Sequence, residues 1–195
     1  MLSERLQLKL YLEPSQHFEV EALIPVFHRF IREQLIRELL IDVVDYSHVP
    51  NGPGVVLIGH GADFYLGALD GAYGLVYSRK RGGPGPEARL EDALRRLIDA
   101  ARLLEQDPTV QLRFKSGELS LRLTDRLHAP NDDATFAGVK AEVEALFERI
   151  YGGEIAVERL AASGKEPLSL RIRASGSPAL EALLEKLGGP PRVAS

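Results

Sequence analysis

Between Leu39 and Ile58 the chain sets two apolar runs on either side of one turn-rich loop, and no other stretch restricts the fold so tightly. Leu39–Asp45 and Val55–Ile58 are too short for buried helices and rich in β-branched residues, so both read as strands. The nearly unbroken apolarity of the first predicts a central strand covered on both faces. Val49-Pro50-Asn51-Gly52-Pro53 supplies a turn between them, and the two should therefore pair. Gly59-His60-Gly61 ends or bulges the second.

Around this pair the hydrophobic period changes several times. Leu6, Leu8, Leu10 and Leu12 alternate with Gln7, Lys9 and Tyr11, the signature of a half-buried strand. A helix is predicted from about Glu21 to Arg37, with Pro25 in its first turn, where a missing N–H does no harm. Phe64–Leu66 and Leu75–Tyr77 read as a hairpin around Asp70-Gly71. Leu90–Glu105 is an amphipathic helix stopped by Asp107-Pro108. Val110–Phe114 and Leu119–Leu123 alternate around Ser116-Gly117, which predicts a second hairpin. Asn131, Asp132 or Asp133 caps a helix from about Ala134 to Tyr151, closed by Gly152-Gly153. A third hairpin, Ile155–Leu160 with Leu168–Ile172 around Ser163-Gly164, precedes a short helix from Ser177-Pro178 to Leu187.

Helices interleaved with hairpins predict an α+β fold, an antiparallel or mixed sheet with helices on one face. The β-α-β-β-α-β order of the first two-thirds fits ferredoxin-like split β-α-β units. The helix-then-hairpin unit at 90–125 recurs at 134–174, which reads as a tandem pseudo-repeat. One domain over 1–188 is expected, with sub-units 1–81 and 88–188 joined by the glycine- and proline-rich loop 82–87 and a disordered tail at 189–195. Whether the sheet is continuous or divided between the repeats stays open at this point.

Composition then removes whole classes of chemistry. The chain has no cysteine, which excludes disulfides, thiolate nucleophiles and cysteine-ligated metals. A net charge of −4 lacks the basic face that nucleic acid requires, and no apolar run has the length of a membrane span. The expectation is a cytoplasmic protein without nucleic-acid or membrane partners. No nucleophile-elbow serine motif, Walker-type lysine or dinucleotide-binding glycine motif occurs.

The polar residues gather where the two oily strands should end. His48 and His60, with Asp63, form a set that suits zinc or non-haem iron if the strand ends converge, with Asp45 behind them. The competing reading is a turn in which Asp45 and Asn51 bond backbone groups while the histidines bond main-chain oxygens. Arg79, Lys80 and Arg81 follow a strand carrying Tyr77, and a basic end beside tyrosines can hold an anionic ligand or an acidic peptide. A solvated strand end is the plainer alternative. The ligand-binding set is thus Asp45, His48, Asn51, His60, Asp63, Tyr65, Tyr77 and Arg79.

The string LLIDVVDYSHVPNGPGVVLIGHGADF, followed by GLVYSRKR, resembles a block in a family of uncharacterised bacterial proteins of about 200 residues. That resemblance implies a stand-alone chain and brings no activity or residue role with it. Two functions follow from the residues. The first is a non-enzymatic binding or accessory protein without a cofactor, holding a small molecule, peptide or partner chain near the 45–67 loops, its sheet edges covered in a homodimer. The second is an enzyme dependent on a divalent metal at His48, His60 and Asp63.

Overall fold

The structure is a computed structural model that describes residues 4–14, 16, 18–50, 52–68, 71–160 and 166–188. Among these, one antiparallel sheet of eight strands runs in the order β2-β3-β4-β5-β1-β6-β8-β7. The strands are β1 (Leu6–Leu12), β2 (Leu40–Tyr46), β3 (Gly54–Gly59), β4 (Ala62–Gly67), β5 (Gly74–Arg79), β6 (Phe114–Leu123), β7 (Ile155–Arg159) and β8 (Ser169–Ala174). The helices are α1 (Leu23–Glu33), α2 (Arg89–Gln106), α3 (Asp133–Tyr151) and α4 (Leu180–Lys186). The α+β reading holds. β1 pairs with β5 on one side and β6 on the other, so the sheet continues across the 82–87 loop. The pairings make β5 parallel to β6 with β1 between them, and α2 carries the chain across. In the same way α3 joins β6 to β7 across β8.

The alternation in β1 accounts for the core. Leu6, Leu8 and Leu10 are fully buried on the helix-covered face, and one cluster joins them to Phe27, Leu97, Phe147 and Leu183 from the four helices. Burying each such side chain is worth about 1.5–3 kcal/mol. The other face holds the small cluster of Val56, Tyr65 and Val76, and beyond it charged side chains. α1 ends where Gln34 turns left-handed at φ 51°, four residues earlier than the pattern predicts. α3 begins as predicted, with the Asp132 side chain accepting from Thr135 N–H, and Gly152 closes it at φ 73°.

Two expectations are corrected. Ser116-Gly117 is no turn: β6 is one ten-residue strand with a register shift there, Leu10 facing Leu119 and Leu12 facing Phe114. A bulge and a hairpin both break the alternation around a glycine, and the pattern does not separate them. The first predicted helix-then-hairpin unit therefore contains one strand and the second contains two. The other correction concerns Leu39–Asp45. Most of this run lies in β2, one of the two outermost strands, with Leu39 69% and Ile41 57% exposed. Leu40 and Val43 pack against the core while Asp42 and Asp45 face water. Charges on such a run mark an edge, where they discourage further pairing. The predicted turn at Ser163-Gly164 and the tail at 189–195 lie outside the described residues.

On the open face, Glu118 lies between Arg171 (2.8 Å), Arg173 (3.3 Å) and Lys115 (3.4 Å). Burial works to raise its pKa, but Arg171 first and then Arg173 and Lys115 outweigh it, so the carboxyl is held below its ordinary value. A folded-state pKa below the unfolded one gives stability that is complete above the unfolded value and is lost as pH falls through the folded one. Thermal melts should accordingly show a smaller loss between about pH 5 and pH 3 for Glu118→Gln than for the parent chain. An equal loss would mean that this arginine pair contributes nothing.

Candidate functional site

The residues predicted to share one site are divided between two ends of the sheet. β2 and β3 are antiparallel, with Tyr46 facing Gly54 and Leu40 facing Gly59. His48 follows the last residue of β2, and the N–H of His60 donates to Leu39 O (2.8 Å) beside the first. The length of β2 lies between them, about 20 Å. The set of His48, His60 and Asp63 is therefore not assembled, and no group of three metal-ligating side chains occurs among the described residues. Asp63 instead holds the β3–β4 turn, accepting from Lys80 Nζ (2.6 Å) and Gly59 N–H (3.2 Å). Asp45 accepts from the N–H of Ser47 (2.8 Å) and from its hydroxyl, which lowers its pKa below the ordinary carboxylate value. The turn reading holds for Asp45. Asn51 lies outside the described residues.

Beyond the His48 end, Tyr65 and Tyr46 line a cavity of about 840 Å³ together with Phe18, Tyr73, Glu19 and Glu21. The Tyr65 hydroxyl accepts from Gln7 Nε2 at 3.4 Å, and burial raises its pKa.

At the other end, His60, Tyr77 and Arg79 meet. A cavity of about 760 Å³ opens among the α1–β2 connection, the β3–β4 turn, the end of β5 with its following loop, and α2. Arg37, Arg79, Arg81 and Arg96 line it with His60, and Ile31, Ile36, Leu39 and Leu40 form its apolar wall. Strand parity explains why Arg79 is there. It shares a face with Leu75 and Tyr77, so the last residue of β5 is carried under α2, where its side chain is only 2% exposed. Its Nη2 donates to Asp92 (2.5 Å) and its Nε to the Tyr77 hydroxyl (3.2 Å). Its Nη1 has no hydrogen-bond partner among the described residues. Gly83 covers that atom at φ 94°, so closely that a Cβ there would lie 2.6 Å from it.

Arg96 completes the floor. Its Nε donates to Asp92 (2.9 Å) and its Nη1 to Glu38 (3.2 Å) and to the Arg37 carbonyl. Burial works to lower the Arg96 pKa, but the carboxylates of Asp92 and Glu38 outweigh it and hold the guanidinium charged. Burial also raises the Tyr77 pKa, against the pull of Arg79, which keeps the phenol neutral at pH 7. Glu38 in turn accepts from Gly61 N–H (2.8 Å), tying the β3–β4 turn to the entrance of β2. Arg37 and Arg81 are exposed and make no ion pair among the described residues, though Arg81 Nε donates to the His60 carbonyl (3.1 Å). Four arginines here face Glu38 and Asp92, with Glu4 at the rim on the Gly82 N–H (3.1 Å), so positive charge is in excess at this spot in a chain whose net charge is −4.

Of this group, sequence reasoning found His60, Tyr77 and Arg79 and missed Arg37, Glu38 and Arg96 as site residues. Asp92 and Arg96 stand four apart, a spacing that signals a helix pair and nothing about what else they meet. No protein-family model, curated protein or solved structure matches this chain.

Proposed function

We propose that the protein is a non-catalytic binding protein that holds an anionic, partly apolar ligand in the arginine-lined cavity at the start of β2. The observation that carries this reading is Arg79, a guanidinium packed away from water with one nitrogen unpaired. A buried donor without a partner costs about 1–3 kcal/mol, which an acceptor entering from the cavity recovers once Gly83, which covers that atom, moves aside. The exposed Arg37 and Arg81 supply attraction from solution, and the wall of Ile31, Ile36, Leu39 and Leu40 suits an apolar body behind the charge. The cavity keeps the His60 side of the predicted 45–67 region and leaves His48 out.

Melting curves in phosphate and in hexanoate, against chloride at equal ionic strength, test this. Saturation near one hundred times the dissociation constant stabilises a fold by about 2.7 kcal/mol, or about 5–10 °C for a chain of this length. The double variant Arg37→Ala plus Arg81→Ala should melt within about 2 °C of the parent in chloride and lose the anion-dependent rise. The same rise in the double variant, or no rise in the parent, would overturn the assignment.

A further inference from the structure

The arginine cavity opens beside the free edge of β2, and the two features together specify more than an anion. We infer that the ligand is an extended peptide that adds as a strand along β2 and places its C-terminal carboxylate among the arginines. This rests on the anion-binding reading above and narrows it.

Three observations converge. The first is the edge itself: among the described residues β2 pairs with β3 alone, its Ile41 is exposed, and so is Leu39 just before the strand. An open edge of that kind offers main-chain hydrogen bonds to an incoming strand. The second is continuity, since Leu39 and Leu40 belong both to the approach to that edge and to the cavity wall. A chain running along β2 antiparallel to it therefore ends at the arginines, where a free carboxylate meets guanidinium forks. Four of the nearby backbone donors are already committed. Gly61 N–H bonds Glu38, Gly82 N–H bonds Glu4, and the N–H groups of Lys80 and Arg81 bond the Gly61 carbonyl. With those four amides occupied the anion is read chiefly by side chains, which favours a planar carboxylate over a phosphate cradled by amides.

The third is the sign of the charge along the edge. Past the arginine end come the exposed Asp42 and Asp45, three residues apart. An antiparallel partner then wants basic residues about three and six positions before its C-terminus, with an apolar last residue against Ile31 and Ile36. The edge is acidic where the cavity is basic, so a second copy of β2 would set aspartates beside apolar side chains or one another. A peptide of opposite pattern has no such conflict.

The probe is fluorescently labelled Lys-Thr-Val-Lys-Val-Thr-Leu, followed by anisotropy against the full chain. The free acid should bind at least tenfold tighter than its C-terminal amide, and Arg81→Ala should remove that difference. Asp42→Lys should weaken the acid about tenfold, and a peptide with Glu for the central Lys should recover the loss on that variant alone. Amide-exchange protection on binding should fall on residues 40–45. Equal binding of acid and amide, or protection elsewhere, overturns the inference. Failure of the peptide while hexanoate still raises the melting temperature overturns the peptide and leaves the anion site standing. Failure of both overturns both.

Discussion

Asp92→Asn should destabilise the fold by about 3 kcal/mol, lowering the melting temperature by about 6–12 °C. The Asp92 carboxylate is the counter-charge of two guanidiniums, Arg79 at 2.5 Å and Arg96 at 2.9 Å, with side-chain exposures of 2% and 15%. Removing one partner of a buried pair leaves the other charge desolvated, which costs about 3–5 kcal/mol when burial is complete. Asp92 itself is 18% exposed, which puts the expected loss at the lower end. Asparagine keeps the shape and an acceptor oxygen, so the loss measures charge. Asp133→Asn is the control, because its ion pair with Arg159 involves a carboxylate 98% exposed and should matter by less than about 1 kcal/mol. The same substitution should make the cavity more positive. Phosphate at ionic strength matched to chloride is expected to raise the variant's melting temperature by more than the parent's, because a bound anion replaces the lost carboxylate. A variant as stable as the Asp133 control would show that Arg79 and Arg96 do not depend on Asp92.

The contrast between fold and site has a physical origin. Period two in β1 and period 3.6 in α2 and α3 are repeated many times over, so these elements and their inward faces could be read without knowing the sheet order. β2 shows the weak point. Its apolar run reads as buried on both faces, whereas the aspartates at 42 and 45 are the local sign of an edge. Site residues carry less redundancy. His48 and His60 sit twelve positions apart in the chain, yet two strands joined by a short turn pair antiparallel and carry the residues that follow each to opposite ends, an objection to the shared site that the predicted turn already contained. Arg79 is legible as the basic end of a strand carrying Tyr77, and its parity with Leu75 and Tyr77 is the further signal that places it on the helix-covered face. Arg37 and Arg96 reach the same cavity only through the packing of α2 beside the α1–β2 connection, and nothing local encodes that approach.

Gly117→Ala should likewise destabilise, by about 2–3 kcal/mol, while Gly138→Ala should stabilise by about 0.5–1 kcal/mol. Both glycines lie inside regular elements, Gly117 in β6 and Gly138 in α3, and propensity alone predicts that alanine helps at either. Surroundings decide the sign. A Cβ on Gly117 would lie 2.4 Å from the Gly176 carbonyl oxygen and 2.9 Å from Ser177 Oγ, in the segment leading to α4. The first of these is backbone and cannot swing aside, so either the bulge or the approach to α4 must shift. Around Gly138, which is exposed, a Cβ would meet nothing within 4 Å, leaving only the gain from restricting the unfolded chain. Urea midpoints at unchanged slope should therefore move in opposite directions for the two variants. If Gly117→Ala moved upward with Gly138→Ala, the residue would not be the contact point between β6 and the α4 segment. The Ser116-Gly117 pair would then lack the close approach that distinguishes this bulge from an ordinary irregularity in the strand.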